Sequence, residues 1–352
     1  MSLTSIRNIV ANLFEQLLNQ KHVLLADGAT GTNLFAMGLQ SGDAPEFWNI
    51  DHPDRVATHY RSFIDAGSDI VLTNTFGGTR YRLKLHNAQH RVAELNTAAA
   101  EILKGEVEKS GREVIVAGSI GPSGEILAPL GEMLPDEAVE AYAEQALALK
   151  QGGVDILWIE TMSSREEVEL AVKGVGEAGL PIIFTMSFDT NGRTMMGVGA
   201  ADLMNLLQQA RPRVHACGTN CGIGASEVVV AILNMKAVIT DDSDPILVAK
   251  ANCGIPEFID GEIVYSGTPE IMANYAVMAR DAGARIIGGC CGTTAEHVAA
   301  MRDALDNSSK SSPPTLDDIN RVLGEVTAGA KLQAQGQHQL PERYRGRKRR
   351  RR

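Results

Sequence analysis

The sequence predicts an α/β protein of the (β/α)8 (TIM) barrel class, with an N-terminal helix before the barrel and a short C-terminal extension after it. Three observations predict it. From Val23 onward, short apolar runs rich in β-branched residues alternate with longer amphipathic stretches, the pattern of a parallel sheet covered by helices. The alternation repeats eight times, which suits a closed barrel better than an open doubly wound sheet. The chemically distinctive residues also fall at the carboxyl ends of the apolar runs, where a barrel assembles its active site.

Taken in order, Ile6, Ile9, Val10, Leu13 and Leu17 share one face of a helical pattern that plugs or flanks the barrel bottom, with Thr4 and Ser5 as caps. Strands are read at 23–26, 69–74, 114–118, 154–160, 181–187, 214–219, 246–251 and 285–289. Helices with apolar residues recurring at three or four are read at 53–66, 88–110, 136–151, 165–176, 201–210, 225–235, 268–282 and 294–305. The barrel unit therefore spans 1–306. Residues 307–314, rich in Ser and Pro, read as a linker, and a short helix follows at 316–326. The Gln, Gly and Arg-rich remainder up to 352 reads as a basic disordered tail.

The bulk properties narrow the function. With 44% hydrophobic and 22% charged residues the chain has enough apolar surface for one large domain. It shows neither a bilayer-length uncharged run nor the order of a secretory signal, so it is expected to be cytoplasmic and to have no membrane partner. The net charge is −10, but the last ten residues hold eight Lys and Arg and no acid, leaving −18 for everything before them. An acidic body argues against nucleic acid as a partner. Five cysteines are too few and too scattered for a disulfide framework, which favours a metal or thiol role.

Cys221 follows the sixth strand, and the adjacent Cys290 and Cys291 follow the eighth. Both loops face the same barrel mouth, so three thiolates can meet within about 4 Å around one Zn2+ ion. Three ligands leave a coordination position open, and no CxxC pair is present to build a closed structural site. Cys217 and Cys253 are possible fourth ligands, but Cys217 lies inside a strand and reads as core, and Cys253 reads as a thiol lining the pocket, with metal contact the alternative. An incoming thiol that fills the open position loses its proton, because coordination lowers its pKa from about 8.5. None of the eight histidines sits at metal-ligand spacing in a strand-end loop, which argues against a hydrolytic zinc site. Glu160 ends an apolar strand with no cation beside it in sequence and calls for a ligand ammonium. Asp27 and Gly28 form a tight turn whose backbone N–H groups could receive a carboxylate, and Asn220 could orient polar groups at the rim.

These residues resemble the homocysteine S-methyltransferases. The motifs that carry the resemblance are LLADGATGTNL, TNTFGGT, DILWIET, GTNCGIG and GGCCGTT, which run in order from about Val23 to Leu305. The resemblance implies methyl transfer to the thiol of homocysteine, giving methionine. Cys221, Cys290 and Cys291 would be the zinc ligands, and Asp27, Gly28, Ala29 and Glu160 would hold the amino acid. The wording is most similar to bacterial betaine–homocysteine S-methyltransferases, so betaine is the expected donor, S-methylmethionine the alternative. Gly77 and Thr161 stand where the animal betaine enzymes carry aromatic residues. A quaternary ammonium donor needs an aromatic cage, for which Trp48 and Phe76, with Tyr81 and Phe188, are the candidates. A cobalamin-dependent reaction would need folate and corrinoid domains for which this chain is read as leaving no room. The long dimerisation arm of the animal enzymes is not evident after Ser308, which leaves a homodimer open. A reading from another class is a catalytically silent zinc-containing barrel that binds partners through its basic tail.

Overall fold

The structure, a computed structural model, describes residues 12–189, 191–239, 245–259 and 262–336. Eight parallel strands form the barrel: β1 (Leu24–Leu25), β2 (Ile70–Leu72), β3 (Ile115–Ile120), β4 (Ile156–Met162), β5 (Ile182–Met186), β6 (Ala216–Cys221), β7 (Ile246–Ala251) and β10 (Ile286–Gly289). Each pairs with its neighbour in chain order, and β10 lies between β7 and β1. Every strand predicted from the sequence is present: β7 matches, β1, β2, β5 and β10 are shorter, and β3, β4 and β6 start one or two residues later and run two residues further at the carboxyl end.

The circle closes between β1 and β2 by a single bridge, Ala26 to Ile70. Side chains stitch this seam. The Asp69 carboxylate accepts the Leu25 N–H at 2.9 Å, while the Asp69 N–H donates to the Leu25 carbonyl at 2.6 Å. The Asp27 carboxylate accepts the Leu72 N–H at 2.7 Å.

Alternation along the strands turns one set of side chains inward. Leu24, Ile70, Ile115, Ile156, Trp158 and Val248 belong to a buried cluster inside the barrel, and Phe14, Leu17 and Leu18 close it from below. They come from the helix Leu13–Gln20, capped by the Asn12 side chain, which accepts from the Glu15 N–H. The predicted bottom plug is therefore present from Leu13 on; its proposed caps Thr4 and Ser5 and the residues up to 11 lie outside the described residues. A second cluster joins the outward strand faces to the surrounding helices.

Several elements lie where the sequence pattern showed none. The connections on either side of β2 carry short helices, Gly31–Ala36, Trp48–Asp51 and Arg80–Lys84, too brief to display a helical period. After β7 an antiparallel hairpin, β8 (Pro256–Ile259) and β9 (Glu262–Tyr265), is inserted before the next helix.

The extension also differs from expectation. Thr315 caps a helix Leu316–Leu323, and a further helix, Ala328–Ala334, falls in the stretch read as unstructured. Ile319, Val326 and Ala330 are buried in the outer cluster. The Thr327 N–H donates to Glu227 at 2.6 Å, the Gln333 amide donates to the Asn191 carbonyl, and Arg280 donates to the carbonyls of Ser308 and Ser309. Residues 307–336 thus strap onto the barrel, and the basic run at 343–352 lies outside the described residues. Among the described residues no helix is long and apolar enough to cross a membrane.

Candidate metal and substrate site

The inward parity that fills the barrel continues to its top. Two residues beyond Ala117, Trp158 and Val248 come Ser119, Glu160 and Lys250, and four beyond Ile286 comes Cys290; all four line a cavity of ≈ 480 Å³ at the carboxyl ends of the strands.

Cys221, Cys290 and Cys291 meet at this cavity with their sulfurs all within 4.8 Å of one another. The Cys221 and Cys291 sulfurs are 3.9 Å apart. Tetrahedral bonds of about 2.3 Å to zinc place sulfurs about 3.8 Å apart, so the donor set fits a soft divalent ion. Without a cation the thiols hold one another's protons. Cys290 is kept far above its ordinary pKa, first by its hydrogen bond with Cys221 and then by burial, against a lowering from Cys291. A cation would reverse that balance.

Local structure presets the sulfurs. Cys221 closes β6 in a left-handed conformation, φ 62°, as Thr161 does at the end of β4, φ 61°. Asn220 ties the two together: its carbonyl accepts the Thr161 N–H at 2.9 Å, and its amide donates to the Thr161 hydroxyl at 2.7 Å and faces the Cys290 sulfur at 3.8 Å. Asn252 does the same on the other side, accepting the Cys291 N–H and donating to the Gly222 carbonyl. Asn220 is fully buried and does not line the cavity: it holds the polar groups of Thr161 and faces the Cys290 sulfur from behind the wall, and it does not reach the position a substrate contact would need.

The other cysteines separate cleanly. Cys217 is buried in β6 against Met204, as expected. Cys253 is also buried, donates to the Gly267 carbonyl, and does not line the pocket, which corrects the expectation for it.

The charged residues rearrange the expected amino-acid site. Lys250 is 2% exposed and places its ammonium 2.6 Å from the Asp27 carboxylate and 5.3 Å from the Trp158 ring centre. Burial opposes its charge, but Asp27 and Glu160 outweigh that and hold its pKa above the usual lysine value. Asp27 therefore spends one oxygen on Lys250 and the other on the barrel seam, and it does not line the cavity. The Ala29 N–H is also committed, to the Thr293 carbonyl. Gly28 and Ala29 still form the cavity wall. A side chain at Gly28 would strike the Thr293 carbonyl at 2.5 Å and the Phe63 ring at 2.9 Å. Glu160 lines the cavity as expected, accepts from the Ser119 hydroxyl at 2.5 Å, and is pushed up in pKa by burial, with Lys250 pulling it back.

The aromatic candidates divide. Phe76 lines the cavity, 38% exposed, alongside Phe35. Trp48 is buried against His52 and Arg55, and Phe188 is buried elsewhere, so neither reaches the cavity and the expected cage role of Trp48 does not hold. Lys250, Glu46 and Arg82 are lining residues that the sequence did not single out. Only the inward parity two beyond Val248 could have signalled Lys250.

Fold and site together define a class: a barrel whose mouth brings three metal-competent sulfurs to a cavity that Glu160 and Lys250 also line. The chain belongs to the homocysteine S-methyltransferase family, whose profile matches residues 24–305. Over 306 residues it is 30% identical to methionine synthase of Mycobacterium tuberculosis, matching 82% of this chain and 25% of that protein. It thus spans about a quarter of the length of that curated relative. The homocysteine methyltransferase MmuM from Escherichia coli, solved in an oxidised and a metallated form, superposes with TM-scores of 0.70 and 0.69 at 23% identity, covering 83% of this chain and 99% of MmuM. At that identity the likeness establishes the barrel alone.

Proposed function

We propose that the protein catalyses zinc-dependent transfer of a methyl group to the thiol of homocysteine, releasing methionine. The observation that carries this reading is the convergence of the Cys221, Cys290 and Cys291 sulfurs on a cavity that also holds Glu160 and Lys250. Those three cysteines would hold the zinc ion. When bound, zinc makes an incoming thiol a thiolate at neutral pH, and thiolate co-ligands keep that sulfur nucleophilic.

The chain's own residues then bind and align. Glu160, buried and held by Ser119, accepts the homocysteine ammonium, which relieves the cost of its burial. Gly28 and Ala29 form the wall against which the amino-acid end lies, held in place by close packing of Gly28 on the Thr293 carbonyl and the Phe63 ring. Lys250 lines the cavity beside Glu160, and Asp27 stands behind it, neutralising its charge and fixing its position. Once the thiolate exists, transfer needs no proton movement, only in-line approach of sulfur and methyl carbon. The sulfur lone pair forms the new S–C bond, and the pair of the breaking bond stays on the donor.

Betaine is the donor to which the sequence resemblance points, giving dimethylglycine as second product. S-methylmethionine is the second reading, favoured by the absence of Trp48 and Phe188 from the cavity, which leaves Phe35 and Phe76 as aromatic faces for a bulky quaternary ammonium. Cys290→Ala is expected to lose both bound zinc, by elemental analysis, and methionine formation, by at least about 100-fold. Undiminished turnover in a zinc-free preparation would refute the proposal, and assaying each donor with homocysteine separates betaine from S-methylmethionine.

A further inference from the structure

The residues lining the cavity have two origins. Those considered so far come mainly from strand tops. Phe35, Glu46, Phe76, Arg82 and His86 come instead from the two long connections around β2, and neither the metal nor the amino acid requires them. Glu46 is 4% exposed. One of its oxygens accepts the Gly77 N–H at 2.6 Å, and among the described residues no side chain donates to the other. Burial pushes its pKa up; hydrogen bonds from the backbone N–H groups of Glu46 and Gly77, and after them the charges of Arg82 and His86, bring it only part of the way back. A buried carboxylate without a bonded cation is relieved when a cationic ligand enters. Arg82 is half-buried and forms no ion pair among the described residues. The same end of the cavity therefore offers a carboxylate, a guanidinium and two aromatic faces.

We infer that Glu46 and Arg82 form the methyl-donor subsite and select small carboxylated onium compounds, with the onium centre at Glu46 and Phe76 and the carboxylate at Arg82. This rests on the methyl-transfer reading above. An onium donor suits that chemistry: as the thiolate takes the methyl, the broken bond's electron pair stays on nitrogen or sulfur and neutralises it. Because the positive charge fades during transfer, a carboxylate beside it favours the bound donor at least as much as the transition state. Its contribution falls on KM rather than kcat.

The test uses the full-length, zinc-loaded protein with saturating homocysteine, and betaine or S-methylmethionine as donor. Glu46→Gln is expected to raise the donor KM roughly 10- to 100-fold, the value of a hydrogen-bonded charge, with kcat changed far less. Arg82→Gln is expected to raise the KM comparably. It should also abolish the advantage of betaine over choline, which keeps the onium centre but lacks the carboxylate, in competition for the site. The Arg82 side chain makes no hydrogen bond among the described residues, and its backbone bonds to Thr79 and Leu85 survive the substitution, so this variant keeps the test open should Glu46→Gln fail to fold. An unchanged donor KM in the folded variants overturns the inference. Iodomethane, a neutral methyl source, separates the two levels. Wild-type protein that makes methionine from iodomethane but from neither onium compound refutes the subsite alone, and protein inactive with all three refutes homocysteine methylation as well.

Discussion

At the scale of single residues, position in the barrel decides what a charged side chain is for. Asp27, expected from the family resemblance to hold the amino acid, instead ties the barrel seam, because the short first strand leaves the Leu72 N–H without a backbone acceptor. Lys250 was illegible for the opposite reason: one lysine in the apolar run ILVAKA looks like a side chain escaping to solvent. The cysteines were legible because three thiols at two strand ends admit few other uses, whereas Trp48 was misplaced because sequence shows which loop an aromatic belongs to but not which way it faces. His59 shows the same effect of environment on a titratable group. It is buried among Tyr60 and Phe63, its Nε2 has no partner, and burial pushes its pKa down to about 4. The unfolded chain then binds a proton that the folded chain refuses between about pH 6.5 and 4, so stability present at neutral pH is lost as pH falls through that window, by roughly 3 kcal/mol. His59→Phe is expected to flatten that part of the acid limb; urea unfolding at pH 7 and pH 5 measures the difference, and an unchanged slope with pH contradicts it.

At the scale of elements, the strands and long helices were legible because their periods run for several turns or alternations. The short helices around β2 and the β8–β9 hairpin were not, since elements of four to six residues carry no period and take their shape from what they pack on. The strap at 307–336 makes the point energetically. Its Ser- and Pro-rich start reads as a linker, yet Arg280 pins Ser308 and Ser309, and beyond them Ile319 is fully buried. Ile319→Ala is expected to cost about 2–5 kcal/mol, as for other buried large-to-small changes, through lost burial and the cavity left behind. Chemical denaturation of the two proteins measures it, and a loss below about 0.5 kcal/mol would mean that the strap is only loosely laid on the barrel.

At the scale of the whole molecule, the barrel is a ring of unequal joints. Between β6 and β7 six residue pairs stand in register, and between β3 and β4 four. Between β1 and β2 there is one bridge, supplemented by the carboxylates of Asp69 and Asp27. Ring stiffness is therefore lowest there, and thermal opening should begin along that line. The amides of Leu25 and Leu72, which rest on side-chain acceptors, are expected to exchange with deuterated solvent sooner than those of β4 and β5; uniform protection around the circumference would contradict this. Gly28 and Ala29 follow β1 directly and form part of the cavity wall, so loosening along that joint would widen the vestibule on the side flanked by the β10 loop that carries Cys290 and Cys291, whereas Cys221 stands across the ring on β6.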